Sequence, residues 1–108
     1  MMQKLPPILV TYFEAANAQD VELYTACFSE DATVKDMNEI IQGRENIANW
    51  NRVINKKYNA TTIVKSWVQT DDGADVMTEV SGTFPGSPIE LTFRFKVQDN
   101  KINELETN

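Results

Sequence analysis

Two hydrophobic periods used in succession predict an α+β fold, with three N-terminal helices packed in the concave face of a curved, mainly antiparallel β-sheet. Up to Tyr58 the apolar residues recur mostly at three- and four-residue spacing, and from Thr61 onward they recur at every second position. Three turn signals, Asp71-Asp-Gly73, Pro85-Gly-Ser-Pro88 and Asp99-Asn100, divide that second region into four strands. A length of 108 residues suits one domain spanning 1–108, large enough to bury a core without covalent staples.

Leu5-Pro-Pro opens the first helix, since proline suits a first turn, and Leu9, Tyr12, Phe13 and Ala16 share one face. Asn17-Ala-Gln-Asp20 interrupts it. Asp20 caps a short second helix whose apolar stripe is read as Leu23, Tyr24, Cys27 and Phe28, so the two helices form a hairpin. A strand follows from Ala32 to Met37, and Ile40-Ile41-Gln42 adds a brief second one. Gly43-Arg-Glu-Asn introduces a third helix carrying Ile47, Trp50, Ile54 and Tyr58 at helical spacing, ended by Asn59 and Ala60. In the sheet region the clearest strand runs Ile89, Leu91, Phe93, Phe95 and Val97 on one face, with Glu90, Thr92, Arg94, Lys96 and Gln98 on the other. Val76, Val80 and Phe84 repeat the pattern more loosely, with Gly82 as a bulge position. Trp67 is ambiguous, because simple alternation puts Lys65 and Gln69 on its face.

Composition removes several function classes. The chain has no histidine, which excludes the commonest neutral-pH general base, the usual catalytic triads and histidine-rich zinc sites. Acid–base chemistry then falls to Asp, Glu, Tyr, Lys or Cys. Sixteen acids against ten bases, the latter scattered, leave no footprint for a phosphate backbone, so nucleic acid is not an expected partner. One cysteine excludes an internal disulfide, and Met-Met-Gln-Lys-Leu-Pro-Pro lacks the apolar run of a signal peptide or membrane span. The expectation is a cytoplasmic protein with no membrane association. No EF-hand or other ligand spacing points to a metal, and no cofactor is expected.

The strand Ala32–Met37 carries the chemical signal. Alternation places Ala32, Val34 and Asp36 on one face and Thr33, Lys35 and Met37 on the other. Asp36 therefore shares the more apolar face, and a carboxylate aimed at a core is costly unless it is hydrogen-bonded, hydrated or protonated. The plain alternative is an Asx cap where the strand ends at Met37-Asn38. Cys27 on an apolar stripe reads as a small hydrophobe, and Glu30, Asp31, Asp71 and Asp72 read as solvated turn acids.

Three segments, Tyr12-Phe-Glu-Ala-Ala-Asn-Ala-Gln-Asp20, Phe28-Ser-Glu-Asp-Ala-Thr-Val-Lys-Asp36, and Gly43-Arg-Glu-Asn-Ile47 with Trp50, together with Phe93-Arg-Phe95, resemble the nuclear transport factor 2-like superfamily. That superfamily includes SnoaL-like polyketide cyclases and ketosteroid isomerases, and the resemblance implies its cone-shaped fold. At its first two candidate functional residues the sequence resembles ketosteroid isomerase: Tyr12 falls at the oxyanion-hole tyrosine and Asp36 at the proton-shuttling aspartate. The resemblance implies Asp36 as base and Tyr12 as hydrogen-bond donor; an apolar pocket suited to that base is expected to be walled by Val34, Met37, Trp50, Leu91, Phe93 and Phe95, against the plain readings of Tyr12 as a helix aromatic and Trp50 as a core residue. The isomerases' second oxyanion acid falls at Leu91 here, with Glu90 beside it but turned to the polar face, so steroid isomerisation itself is not expected. The histidine-dependent dehydratase branch is disfavoured too. Two readings stay open: an isomerase or cyclase abstracting a proton next to a carbonyl, or a non-catalytic module for ligand binding or dimerisation. Either takes a small apolar or carbonyl-containing ligand, and the polar sheet face around Arg94 is expected to pair with a second copy as a homodimer.

Overall fold

The computed structural model describes residues 5–36 and 38–108. Three helices, α1 (Pro7–Ala18), α2 (Val21–Ala26) and α3 (Arg44–Tyr58), pack against one six-stranded sheet of β1 (Phe28–Asp36), β2 (Glu39–Gln42), β3 (Thr61–Gln69), β4 (Gly73–Ser81), β5 (Ile89–Gln98) and β6 (Lys101–Thr107). The strand order is β2-β1-β6-β5-β4-β3. Every neighbouring pair is antiparallel except β1 with β6, which run parallel. The sheet's concave side takes the helices, as the two-period reading predicts. No described helix is long and apolar enough to cross a membrane.

Local chemistry accounts for most boundaries. Proline in the first turn starts α1, and Gln19 ends it in the left-handed region at φ 57°. The Asp20 side chain accepts from the Leu23 amide at 3.1 Å, the expected cap of α2. Gly43, at φ 88°, leads into α3, whose last turn holds Lys56 and Lys57 where the helix dipole favours cations. The Asp99-Asn100 turn has both residues at positive φ, 53° and 60°, as a two-residue hairpin requires.

Three boundaries depart from the sequence reading. Helix α2 stops at Ala26, so Cys27 is its C-cap and Phe28 opens β1, while Leu23 is 43% exposed. Phe28 is drawn away from the helix by its pairing with Ile102 of β6, both fully buried. Strand β4 ends at Ser81, leaving Gly82 and Phe84 in the connection to β5, where the Gly82 amide donates to the Ser87 hydroxyl at 2.9 Å. In the β3–β4 pair a register shift lies instead in β3, between Val64 and Ser66. It absorbs Lys65 and lets Trp67 follow Val64 onto the concave side, opposite Val76.

The core lines that concave side. Val76, Phe93, Phe95, Leu105, Val34 and Ala32 supply its sheet layer, and Leu9, Tyr12, Phe13, Tyr24 and Ile47 its helical layer. The edge strand β3 is closed at one point by α1. The Asn17 side chain donates to the Thr62 carbonyl at 2.9 Å and accepts from the Thr62 amide at 2.8 Å, as a neighbouring strand would.

Candidate functional site

Asp36 ends β1 on the concave face, two positions beyond the fully buried Val34, and is itself half-buried. The opposite face of the same strand carries Lys35, which reaches Glu104 at 3.5 Å on the outer surface. The side-chain alternation inferred from sequence is therefore the one observed. Among the described residues no backbone amide of the following turn donates to the Asp36 side chain. It accepts a hydrogen bond on Oδ1 from the Thr107 hydroxyl at 2.6 Å, across the parallel β1–β6 pair where the two residues are register partners. Among the described residues no cation pairs with Asp36, and its Oδ2 accepts no further hydrogen bond.

Tyr12 comes from the middle of α1 and is buried in a cluster of rings. Its ring meets Phe13, Tyr24 and Phe95 at centroid distances of 5.0, 5.0 and 5.1 Å, with Phe28 and Phe93 slightly farther out. Edge-on contacts dominate, the arrangement the ring quadrupoles favour. Its hydroxyl lies 3.4 Å from the Tyr24 hydroxyl, and either oxygen can donate. Burial pushes both phenols above their ordinary pKa, and the neighbouring phenol and the negative charge of Asp36 push the Tyr12 value further in the same direction. Asp36 acts on Tyr24 likewise. Both hydroxyls thus hold their protons near neutral pH, and both sense the carboxylate. Burial also raises the Cys27 thiol, with Lys101 opposing, so this cysteine is a packed thiol rather than a nucleophile.

The expected pocket walls occupy different depths. Val34 is enclosed between Ile41 of β2 and Leu105 of β6, and Phe95 is almost fully buried behind Tyr12. Phe93 lies against Phe13 at 5.8 Å, while Trp50 and Leu91 are partly exposed at the edge of the core. Met37 lies outside the described residues. Leu91 faces Thr78 on β4, and the buried Thr78 hydroxyl is engaged with the Leu91 carbonyl at 2.9 Å. That threonine is therefore no substitute for the acid the isomerases carry at the Leu91 position. Two surface depressions, of about 320 Å³ between α2 and α3 and about 470 Å³ beside the β5–β6 turn, are lined by neither Tyr12 nor Asp36. Among the described residues no three His, Cys, Asp or Glu side chains are grouped to share a metal ion.

Sequence reasoning missed four polar residues of the concave side. Tyr24 read only as part of an apolar stripe, and Thr78, Thr107 and Asn51 were not singled out. Asn51 is 3% exposed and accepts from Asn55 at 3.0 Å. Its place on the seam between Ile47 and Ile54 was the available signal for burial.

A curved sheet with three helices packed on its concave side is the fold of the nuclear transport factor 2-like class. Within it the chain belongs to the SnoaL-like domain family, whose sequence pattern it matches over residues 9–105. A crystal structure from Sinorhizobium meliloti, provisionally assigned as a polyketide cyclase, is 34% identical with a TM-score of 0.93, covering 96% of this chain and 95% of that one. The fold is shared with a ketosteroid isomerase-like protein from Catenulispora acidiphila solved with trimethylamine, at 16% identity and TM-score 0.86, covering 97% and 86% of the two chains. It is shared also with SalBIII, an epoxide hydrolase/cyclase-like enzyme of pyran-ring formation in salinomycin, at 20% identity and TM-score 0.80, covering 93% and 85%. No curated protein matches the chain at a significant level.

Proposed function

We propose that the protein binds a small apolar or carbonyl-containing molecule at the concave face and acts on it as an isomerase or cyclase, with Asp36 as general base and Tyr12 as oxyanion donor. The observation that carries this reading is the half-buried Asp36 carboxylate, unpaired by any described cation, whose charge reaches both buried phenols. In the reaction, Oδ2 of Asp36 takes the proton from the carbon next to the carbonyl. The C–H electron pair passes to the carbonyl oxygen as an enolate, which accepts a hydrogen bond from Tyr12. Asp36 then returns the proton to carbon, or the enolate carbon adds to a second carbonyl carbon of the same molecule, whose C=O π pair moves onto its oxygen as an alkoxide that takes the proton back from Asp36. Tyr12 fits the donor role because it keeps its proton, and Tyr24 orients it by donating to its oxygen while Tyr12 donates to the ligand. The S. meliloti and salinomycin proteins support the cyclase chemistry by their own descriptions.

A second reading, a non-catalytic ligand-binding or dimerisation module, is favoured by Leu91 at the third polar position and by the dense ring packing around Tyr12. Proton exchange separates the two. Wild-type protein incubated in D2O with a panel of apolar enolisable ketones is expected to accelerate deuterium incorporation, and Asp36→Asn to lose about 100-fold or more of it, the usual worth of a positioned base. Equal rates in wild type and variant would remove catalysis and leave the binding module. In the same reading the protein works in the cytoplasm, away from nucleic acid and membrane, and the outer sheet face forms a homodimer. There Lys35 and Lys96 flank Glu104 at 3.5 Å each, and Arg94 stands between Asp75 and Glu106, a charge pattern that a two-fold axis can match to itself. Sedimentation giving a monomer mass at micromolar concentration would refute the dimer.

A further inference from the structure

We infer that Thr107 is a positioning residue for Asp36: its hydroxyl holds Oδ1 and so presents Oδ2 as the single oxygen available to take a proton. The 2.6 Å contact joins residues 71 positions apart and is the only hydrogen bond to the Asp36 side chain among the described residues. A carboxylate at the end of a strand rotates about two side-chain bonds, and one short charge-assisted bond is enough to select a rotamer. Thr107 is suited to this because its own placement is secured from both sides. It pairs with Asp36 of β1 on one flank and with Phe93 of β5 on the other, and it is 6% exposed. The next residue, Asn108, exchanges two backbone hydrogen bonds with Thr92, at 2.9 and 3.0 Å, which prevents the end of β6 from slipping. As a β-branched residue, threonine also has few side-chain rotamers. The catalytic part of the inference rests on the proposed role of Asp36 as base; the structural part does not.

The test uses the full chain and two substitutions of matched shape, Thr107→Val, which deletes the hydroxyl, and Thr107→Ser, which keeps it. Three-bond couplings from the Asp36 backbone nitrogen and carbonyl carbon to its carboxyl carbon report the side-chain rotamer by NMR without any ligand. A single staggered rotamer is expected in wild type and T107S, and averaged couplings in T107V; unchanged couplings in T107V would overturn the inference. Deuterium exchange into cyclohexanone supplies the second readout. A positioning role predicts about a 10-fold lower kcat with KM unchanged in T107V, restored by T107S. Couplings that respond while wild type and Asp36→Asn exchange the whole ketone panel at equal rates would disprove Asp36 as base and leave its positioning by Thr107 standing. Should T107V not fold, T107A carries the same coupling measurement.

Discussion

Replacing Tyr12 or Tyr24 with phenylalanine removes one hydroxyl from a buried pair, and the consequences are not symmetric with removing both. The two oxygens lie 3.4 Å apart inside a ring cluster, with Tyr12 4% and Tyr24 2% exposed. Each phenylalanine keeps the ring contacts, so the transfer and packing energies change little. What changes is the partner, left with a buried polar atom and no group among the described residues to satisfy it. Such an orphan costs about 1–3 kcal/mol, and the length of this bond places each single variant at about 1–2 kcal/mol. In the double variant both polar atoms are gone, so its loss should be smaller than the sum of the singles by about 1 kcal/mol or more. Equilibrium urea unfolding of the four proteins closes the cycle, with a loss of 1 kcal/mol moving Tm by about 4 °C in a domain of this size. Strict additivity would show that the hydroxyls do not interact, and with it the proposed orientation of Tyr12 by Tyr24 would fall.

The same pair sets an alkaline limit. Because both folded phenols are raised above the ordinary value of about 10, the unfolded chain loses those protons first, so stability is intact below about pH 10 and declines as pH rises past it. The Y12F/Y24F double variant should flatten that decline in alkaline urea titrations, and an unchanged slope would contradict it. Gly73→Ala tests the sheet geometry: a Cβ there would lie 1.9 Å from the Phe95 carbonyl oxygen, a backbone atom that cannot move aside cheaply. A loss above about 3 kcal/mol is expected from forcing β4 and β5 apart, and a near-neutral result in urea unfolding would refute the close approach.

Much of this architecture was readable because its causes are local. The Asp20 cap needs only the Leu23 amide three residues on, and the alternation of β5 needs only its own pleat. The inward face of Asp36 followed from its two apolar neighbours on β1. The end of α2 was not readable, because Leu23, Tyr24, Cys27 and Phe28 satisfy helical spacing equally well; pairing with Ile102, far along the chain, decides that Phe28 is a strand residue. Lys65 conceals the orientation of Trp67 for a similar reason, since a bulge is a property of two strands rather than of one.

For the candidate site the division is sharper. Composition and side-chain alternation set which chemistry is available: with no histidine, proton transfer falls to groups such as Asp36 and Tyr12, and one face of β1 turns its carboxylate inward. What those groups touch is set by the packing of distant elements. Tyr24 meets Tyr12 because α1 and α2 fold back on each other, and Thr107 meets Asp36 because β6 returns to lie parallel beside β1. Hydrogen bonds act over about 3 Å, whereas sequence patterns report faces and periods, so partners separated by dozens of residues are chosen by the packing of the whole sheet.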